Sequence, residues 1–265
     1  MRPWRLLLHP HPVEGARNMA IDETLFHSVL TGGPPALRLY AWQPPTLSLG
    51  RGQPLSDVDQ EALQAHGYGL VRRPTGGRAV LHANELTYCV VTTETEAGLE
   101  PGLIGSYRGI SSALLAAFRS LGLEALEAEP RPANHRANGP VCFEVPSDYE
   151  ITCQGRKLVG SAQMRSGGAL LQHGAIPLTG DLAAIAGVLA TRPDPAAIRA
   201  RTITVSAALG RPVSWEEMAQ AVCAGFRHAL GIILEADDLS PAETARAAEL
   251  TATKYAHPDW TGKVP

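Results

Sequence analysis

The chain has 265 residues, and its 45% hydrophobic content is ordinary for a globular protein with a sizeable core. Its formal net charge of −3 argues against bulk binding of nucleic acid, which usually requires a strongly basic domain. No run of 18 apolar residues is present, and residues 1–8 are too short for the core of a signal peptide. Four cysteines without C-x-x-C spacing favour neither a zinc site nor a disulfide framework. We therefore expect a cytoplasmic protein that binds no metal, nucleic acid or membrane.

The first half of the chain alternates short strands with helices. Alternating apolar residues predict strands over residues 36–40, 46–50, 70–73, 79–81 and 86–93. Apolar residues at helical spacing predict helices over residues 16–30, from a cap at Ser56 to Gly67, and before a stop at Gly122. We expect the first two strands to form a hairpin through residues 42–45, and the next two to flank a tight turn at residues 75–77.

The second half begins with residues 128–139, a stretch rich in Pro, Asn and Arg that has no periodicity. It ends just before Cys142, so we interpret it as an active-site loop rather than a domain linker. A hairpin is predicted around Gln154-Gly155, and a further strand over residues 169–178.

The last third is predicted to be helical, because two serines each stand three residues before a glutamate at capping-box spacing: Ser214 before Glu217, and Ser240 before Glu243. Together these elements predict an α+β fold with a mixed, mostly antiparallel sheet backed by helices. We expect a single domain of residues 1–265, with a core at about 31–235 followed by C-terminal helices.

Cys142 is the candidate nucleophile. The other cysteines, Cys89, Cys153 and Cys223, lie within predicted strands or a helix, where packing explains them. A cysteine attacks as its thiolate, and a nearby cation lowers the thiol pKa from about 8.5. Lys157, fifteen positions later, is the candidate for that cation. The alternative is a solvated lysine beside a hairpin turn.

Four motifs in order carry a resemblance to known proteins. Arg72-Arg73-Pro74-Thr75-Gly76-Gly77 resembles the signature of the lipoate- and biotin-protein ligase catalytic domain. Three further stretches resemble the octanoyltransferase branch of that superfamily: Arg78-Ala79-Val80-Leu81-His82 with Glu85-Leu86-Thr87-Tyr88, Pro146-Ser147-Asp148-Tyr149-Glu150, and Leu171-Gln172-His173-Gly174. The match runs from about Asn18 to Trp260. Ala83 departs from it, since such sequences usually carry an aspartate there, and no role of that carboxylate carries over.

The resemblance implies the fold of that superfamily, which is similar to class II synthetases, and a set of functional residues. It implies that Lys157 stabilises both the Cys142 thiolate and the oxyanion of the tetrahedral intermediate. It implies that the following residues bind substrate: Arg72, Arg73, Gly76, Gly77, His82, Gly160, Ser161, Ala162 and His173. The alternatives are a plain hairpin turn for the glycines, exposed strand charges for the arginines, and structural roles for the histidines.

The implied activity is transfer of an octanoyl group from octanoyl-acyl carrier protein to a lysine of a lipoyl domain, such as glycine cleavage H protein. The reaction would proceed through a Cys142 thioester without a cofactor or metal, as the entry step of lipoate biosynthesis. Basic residues around the predicted site would steer these acidic partners: Arg72, Arg73, Arg78, Arg131, Arg136, Arg156, Lys157 and Arg165. We also expect an apolar tunnel long enough for eight carbons.

Three alternative functions stay open. The first is an ATP-dependent lipoate-protein ligase, which would activate a free acid as an acyl-adenylate and need no cysteine. The second is an amidotransferase that moves octanoyl groups between lipoyl domains. The third is a non-catalytic module that binds acyl carrier protein.

Overall fold

The computed structural model describes residues 2–96, 99–128 and 151–263. Its strands are β1 (Trp4–Val13), β2 (Ala36–Trp42), β3 (Thr46–Leu49), β4 (Gly69–Arg72), β5 (Val80–His82), β6 (Glu85–Thr93), β7 (Leu126–Glu127), β8 (Thr152–Cys153), β9 (Arg156–Lys157), β10 (Gly160–Ser166), β11 (Ala169–Pro177) and β12 (Leu234–Ala236). Its α-helices are α1 (Gly15–Leu30), α2 (Gln60–Ala65), α3 (Gly102–Ser120), α4 (Pro195–Arg201), α5 (Val205–Leu209), α6 (Trp215–Leu230), α7 (Pro241–Leu250) and α8 (Pro258–Thr261). None of the helices in these ranges has the length and apolarity needed to cross a membrane.

The main sheet, as far as the chain is described, contains strands in the order β10-β11-β6-β2-β1-β12. The pairs β10–β11, β11–β6 and β6–β2 are antiparallel, whereas β1 is parallel to both β2 and β12. The predicted mixed, mostly antiparallel sheet is therefore confirmed. The sequence analysis placed no strand at residues 4–13 or 234–236, and these two strands supply the parallel pairs.

Helices cover both faces of this sheet. Helices α3 and α6 pack against one face, where Phe118 and Phe226 are fully buried in a shared apolar cluster. Helix α1 packs on the opposite face beside α7, and there Leu25 and Phe26 contribute to a second cluster. The strands between them are buried on both sides, so β6 is apolar along most of its length instead of alternating.

A smaller sheet, in the order β4-β3-β5, lies beside the main one, and it corrects one sequence prediction. The predicted hairpin of β2 and β3 is wrong, because these strands belong to different sheets. The strands predicted to flank the turn at residues 75–77 are present as β4 and β5, but they do not pair with each other. Strand β3 lies between β4 and β5, so the chain from residue 73 to residue 79 must cross over the end of β3.

The helix caps agree with the sequence analysis in two places and differ in one. Ser240 and Glu243 form a complete capping box, and the Ser214 side chain accepts from the Glu217 amide at the start of α6. The predicted cap at Ser56 is wrong. Helix α2 begins after Asp59, whose carboxylate accepts a 3.0 Å hydrogen bond from the Ala62 amide. Aspartate is a strong hydrogen-bond acceptor at the position before a helix, and Asp59 rather than Ser56 therefore caps α2.

Gly225 sets the distance between α3 and α6. A Cβ at this position would lie 2.2 Å from the Ala113 carbonyl oxygen and 2.8 Å from the Ala117 nitrogen. Both are backbone atoms of α3, so the two helices approach each other closely at this glycine.

We expect Gly225→Ala to lower the free energy of unfolding by about 1–3 kcal/mol, as overpacking does. The sign is informative, since helix propensity alone favours alanine over glycine by about 1 kcal/mol. Chemical denaturation measures the change. Ala224→Ser on the exposed side of α6 serves as control and should stay within about 0.5 kcal/mol of the parent. A more stable Gly225→Ala protein would contradict the close approach.

Candidate active site

A cavity of about 20 Å³ lies at the seam between the two sheets, which is room for about one water molecule. The lining residues are Met19, Tyr40, Trp42, Ser48, Arg73, Val80, His82, Thr87, Gly160, Ser161, Ala162, His173, Gly174 and Ala175. The main sheet, the smaller sheet and α1 all contribute to its wall.

Six of the residues predicted to bind substrate line this cavity: Arg73, His82, Gly160, Ser161, Ala162 and His173. They come from two distant segments of the chain, residues 73–82 and 160–173, which the fold brings together. Ala162 and His173 are paired across β10 and β11, and Gly160 is paired with Ala175. Small residues on β10 therefore leave space in front of the histidine.

The glycine loop of residues 74–79 is held in place by Arg73, which is 4% exposed. Its Nη2 donates to the carbonyl oxygens of Gly76 at 2.8 Å and Arg78 at 2.7 Å. Gly77 has φ +90°, and Gly50 approaches it so closely that a Cβ on Gly50 would lie 1.9 Å from the Gly77 oxygen. The loop is thus fixed against the end of β3, directly after Arg73, which lines the cavity.

Arg72 has a different environment from Arg73. It is 1% exposed, and its guanidinium donates to the carbonyl oxygens of Gly50, Gln53 and Thr261 at 2.6–2.8 Å. The Trp260 indole donates back to the Arg72 carbonyl at 2.8 Å. Arg72 therefore ties the C-terminal segment to the loop after β3, and it is not among the residues that line the cavity. Its role in substrate binding stays a prediction.

Lys157 lies in β9 and is 1% exposed, so it is not a solvated turn residue. The turn before it, Gln154-Gly155, adopts positive φ angles of 52° and 70°, as the predicted hairpin requires. Three residues after Lys157 the chain reaches Gly160 in the cavity wall. Cys142 lies outside the described residues.

His173 takes part in a buried polar cluster centred on Asp22. The Asp22 carboxylate accepts from Arg38 at 2.7 Å, from Tyr40 at 2.9 Å and from His173 Nδ1 at 3.0 Å. An ionised carboxylate only accepts, so Nδ1 carries the proton, and Nε2 then accepts from the Thr75 hydroxyl at 2.7 Å. This second bond ties the glycine loop to β11.

Burial and charge act in opposite directions on this cluster. Burial alone raises the pKa of Asp22, but the hydrogen bond from His173 and the charge of Arg38 outweigh it, and the Asp22 pKa is lowered. Burial lowers the pKa of His173, which favours its neutral form. The arrangement is an ion pair of Asp22 and Arg38 with a neutral histidine attached.

His82 forms a second chain of the same kind. Its Nε2 lies 2.8 Å from the Ser48 hydroxyl, and its Nδ1 lies 2.7 Å from Glu85 Oε1. The imidazole stacks on the Trp42 indole, with ring centroids 4.0 Å apart and planes 9° from parallel. Ser48 and Trp42 also line the cavity.

The sequence analysis missed several polar residues that build this site: Asn18, Asp22, Arg38, Ser48, Thr75 and Glu85. Two of them carried a readable signal. Asp22 falls on the apolar stripe of α1, three residues after Met19 and four before Phe26, and Glu85 follows His82 by three positions at the start of a strong strand. Ser48 carried no such signal, because a serine in a short strand does not by itself indicate a functional role.

In the described part of the chain, no three His, Cys, Asp or Glu side chains are placed so that they could hold a metal ion.

Comparison with known proteins identifies the family of this chain. The family described as "Lipoyl protein ligase A/B catalytic domain" matches residues 14–227. An "Octanoyltransferase LipM" of Kyrpidia tusciae is 44% identical over 98% of both chains, and one of Symbiobacterium thermophilum is 43% identical over 97% of both.

Solved structures give the same result. A lipoate-protein ligase A bound with ATP is 28% identical with a TM-score of 0.84 over the full length of both chains. A bipartite lipoate protein ligase of Thermoplasma acidophilum, described with its E2 lipoyl domain, is 26% identical with a TM-score of 0.82 and covers 100% of this chain and 98% of its own. The chain therefore belongs to the lipoyl protein ligase A/B catalytic domain family, and within it to the LipM octanoyltransferases.

We expect Asp22→Asn to lower the free energy of unfolding by about 3–5 kcal/mol at neutral pH, because it leaves Arg38 buried without its counter-charge. Since the Asp22 pKa is lowered in the fold, its stabilisation is present above about pH 4 and is lost as pH falls through the folded value. The difference between parent and variant should therefore shrink in acid.

Urea unfolding at a series of pH values measures this dependence. Asp259→Asn is the matched control, because that side chain is 89% exposed and should contribute less than about 0.5 kcal/mol. A loss for Asp22→Asn that is constant from pH 7 to pH 3 would contradict the assigned ion pair.

Proposed function

We propose that this enzyme transfers an octanoyl group from octanoyl-acyl carrier protein to a lysine of a lipoyl domain, through a thioester on Cys142. The observation that carries the proposal is the cavity, in which six residues predicted to bind the acyl substrate meet from two distant parts of the chain. The names of the LipM relatives support octanoyl transfer. The Thermoplasma ligase described with a lipoyl domain supports a lipoyl-domain acceptor.

The cavity suits the alkyl part of the substrate. Met19, Val80, Ala162 and Ala175 provide apolar wall between its polar groups. Each methylene that leaves water contributes roughly 0.8 kcal/mol, so an eight-carbon chain supplies much of the binding free energy. A tunnel long enough for that chain, leading from Cys142, stays a prediction.

The other cysteines are poor nucleophiles, which supports Cys142 as the reactive one. Cys89, Cys153 and Cys223 are free and buried. Burial raises the pKa of each of these thiols, so the thiolate is scarce at neutral pH. Cys142 is the fourth cysteine of the sequence and follows the irregular segment 128–139.

Lys157 is proposed to stabilise the Cys142 thiolate and the developing oxyanion. Its burial supports this role, because a lysine side chain removed from water needs interactions that make up for lost hydration. A cation acts more strongly on a thiol in such a partly dehydrated environment than at the surface.

The proposed partners, acyl carrier protein and glycine cleavage H protein, would meet a smaller basic rim than the sequence analysis expected. Arg72, Arg73 and Lys157 are buried, so they do not present surface charge. Arg78, Arg156 and Arg165 are partly exposed and are the described members of the predicted rim that would steer an acidic partner, although Arg165 is paired with Glu94. Arg131 and Arg136 lie outside the described residues.

The ligase alternative has a specific observation in its favour, since a lipoate-protein ligase A bound with ATP shares this fold over its full length. Fold alone does not decide between the two reactions. The ligase would activate a free acid with ATP and would not use Cys142.

Mass spectrometry after incubation with octanoyl-acyl carrier protein distinguishes these reactions. We expect a hydroxylamine-sensitive octanoyl adduct on Cys142, which a lipoyl domain discharges without ATP. Cys142→Ala should abolish both the adduct and the transfer, because the sulfur forms the intermediate. Cys142→Ser should be almost as damaged, since one lysine does not convert a hydroxyl to an alkoxide.

Cys223→Ala is the matched control, because that cysteine is buried in α6 away from the cavity and should retain transfer. Activity that requires ATP and free octanoate, and that survives Cys142→Ala, would establish the ligase reaction instead.

Lys157→Met should slow the alkylation of Cys142 at neutral pH and raise the midpoint of its pH dependence. The substitution keeps the length of the side chain and removes the cation that favours the thiolate. Iodoacetamide labelling across pH, quantified at Cys142, measures both effects. Arg156→Gln removes the neighbouring cation on β9, which donates to Gln154, and should leave the profile unchanged. Equal profiles for Lys157→Met and the parent would mean that another group activates the thiol.

A further inference from the structure

The chain of hydrogen bonds through His82 has one consistent direction. Arg73 Nη1 donates to the Ser48 hydroxyl oxygen at 3.1 Å, so the Ser48 proton is available for His82 Nε2. At the other end, the Trp42 indole donates to Thr87 at 2.7 Å, and Thr87 in turn donates to Glu85. Glu85 then accepts from His82 Nδ1, which fixes the imidazole with Nε2 as its acceptor.

Two neighbours of His82 would stabilise the charge that it acquires on taking a proton. The Glu85 carboxylate, 6% exposed, lies on the side of Nδ1. The stacked Trp42 face adds a favourable interaction with a cation. A hydroxyl, an imidazole and a carboxylate in sequence are the groups with which enzymes take a proton from a reacting atom.

His173 belongs to a similar chain but differs in two respects. Its carboxylate, Asp22, is already neutralised by Arg38 at 2.7 Å. Its hydroxyl partner, Thr75, belongs to the glycine loop and does not line the cavity, whereas Ser48 does. His173 therefore holds the loop, and His82 is the imidazole that communicates with the substrate space through a hydroxyl.

We propose that Ser48, His82 and Glu85 form a proton relay that deprotonates the amine of the acceptor lysine during acyl transfer. The relay rests on the proposed function. The lysine nitrogen attacks the thioester carbon, a C–N bond forms, and the C–S bond breaks to release the Cys142 thiolate. The amine proton passes to the Ser48 oxygen as the Ser48 proton passes to His82 Nε2. His82 then returns it to the thiolate, so atoms and charge balance.

Other charged groups lie close to His82 in the described part of the chain. Glu85 lies 2.7 Å from its Nδ1. The Arg73 guanidinium reaches it through the Ser48 hydroxyl. His173 is close enough that positive charge on His82 lowers the His173 pKa.

The test is a single-turnover discharge of octanoyl-Cys142 enzyme by a lipoyl domain at neutral pH. We expect His82→Gln to form the adduct normally and to slow its discharge about 100- to 10,000-fold. The step starts from the neutral amine, so the ordinary lysine pKa of about 10.4 limits parent and variant equally, and the loss reports the missing base.

Hydroxylamine provides the internal comparison, because it is largely unprotonated at neutral pH and needs no base to attack. It should discharge the parent and His82→Gln adducts at equal rates. Ser48→Ala should reproduce the loss seen with the lipoyl domain, and Ser48→Thr, which keeps the hydroxyl, should restore most of the rate. His66→Gln, at an exposed histidine stacked on Tyr68, is the matched control and should leave discharge unchanged.

Each outcome bears on the relay. A His82→Gln loss that is equal for hydroxylamine and the lipoyl domain would assign His82 a structural role and overturn the proposal. An adduct that the parent never forms would overturn the proposed function itself. Normal adduct formation with unchanged discharge would leave the thioester route standing and reject the relay alone.

Discussion

The buried ion pair between Asp22 on α1 and Arg38 on β2 is the interaction on which the site depends. Both side chains are fully buried, and isolated charges in that position would be very unfavourable. Each therefore has several partners: Asp22 accepts from Tyr40 and His173, and Arg38 also donates to Asn18. These bonds allow one position of α1 on the sheet. Met19, one turn before Asp22, is thereby placed in the cavity wall.

The cavity exists because two sheets meet without a shared edge. The main sheet provides Thr87 and His173, and the smaller sheet provides Ser48 and His82. Bonds across the seam hold the sheets at a fixed separation, since Thr75 bonds His173 and His82 bonds Glu85. A shift of either sheet would break a buried hydrogen bond and leave its partner unsatisfied, at a cost of about 1–3 kcal/mol each. The hydroxyl–histidine–carboxylate chains are thus also what shapes the cavity.

The sequence indicated the fold class and most elements, because apolar periodicity reflects burial directly. Strand β6 and helix α3 were predicted within a few residues. The division into two sheets was not predictable in the same way. A turn after β2 looks alike whether the chain returns to the same sheet or enters another, and only long-range pairing, as between β3 and β5, decides it.

The residues of the candidate site were also only partly predictable from the sequence. The resemblance identified Arg73, His82 and His173 by their motifs, and all three line the cavity. It could not separate Arg73 from the adjacent Arg72, because alternation along a strand sends neighbouring side chains to opposite faces, and only packing against Trp260 shows which face is which. Apart from Glu85, which follows His82 by three positions, the hydroxyl and carboxylate partners of the histidines lie far away in sequence, so their contacts follow from tertiary structure alone.

The proposed relay also bears on how one fold serves both transferases and ligases. Each reaction ends with a lysine amine attacking an acyl carbon, whether that carbon is held by a thiolate or by an adenylate. The amine must lose a proton in both cases, so a relay beside the acyl cavity is equally useful to each. Ser48, His82 and Glu85 therefore do not distinguish the two reactions. That distinction depends on how the acyl group is activated, and in this chain it rests on whether Cys142 carries the acyl group.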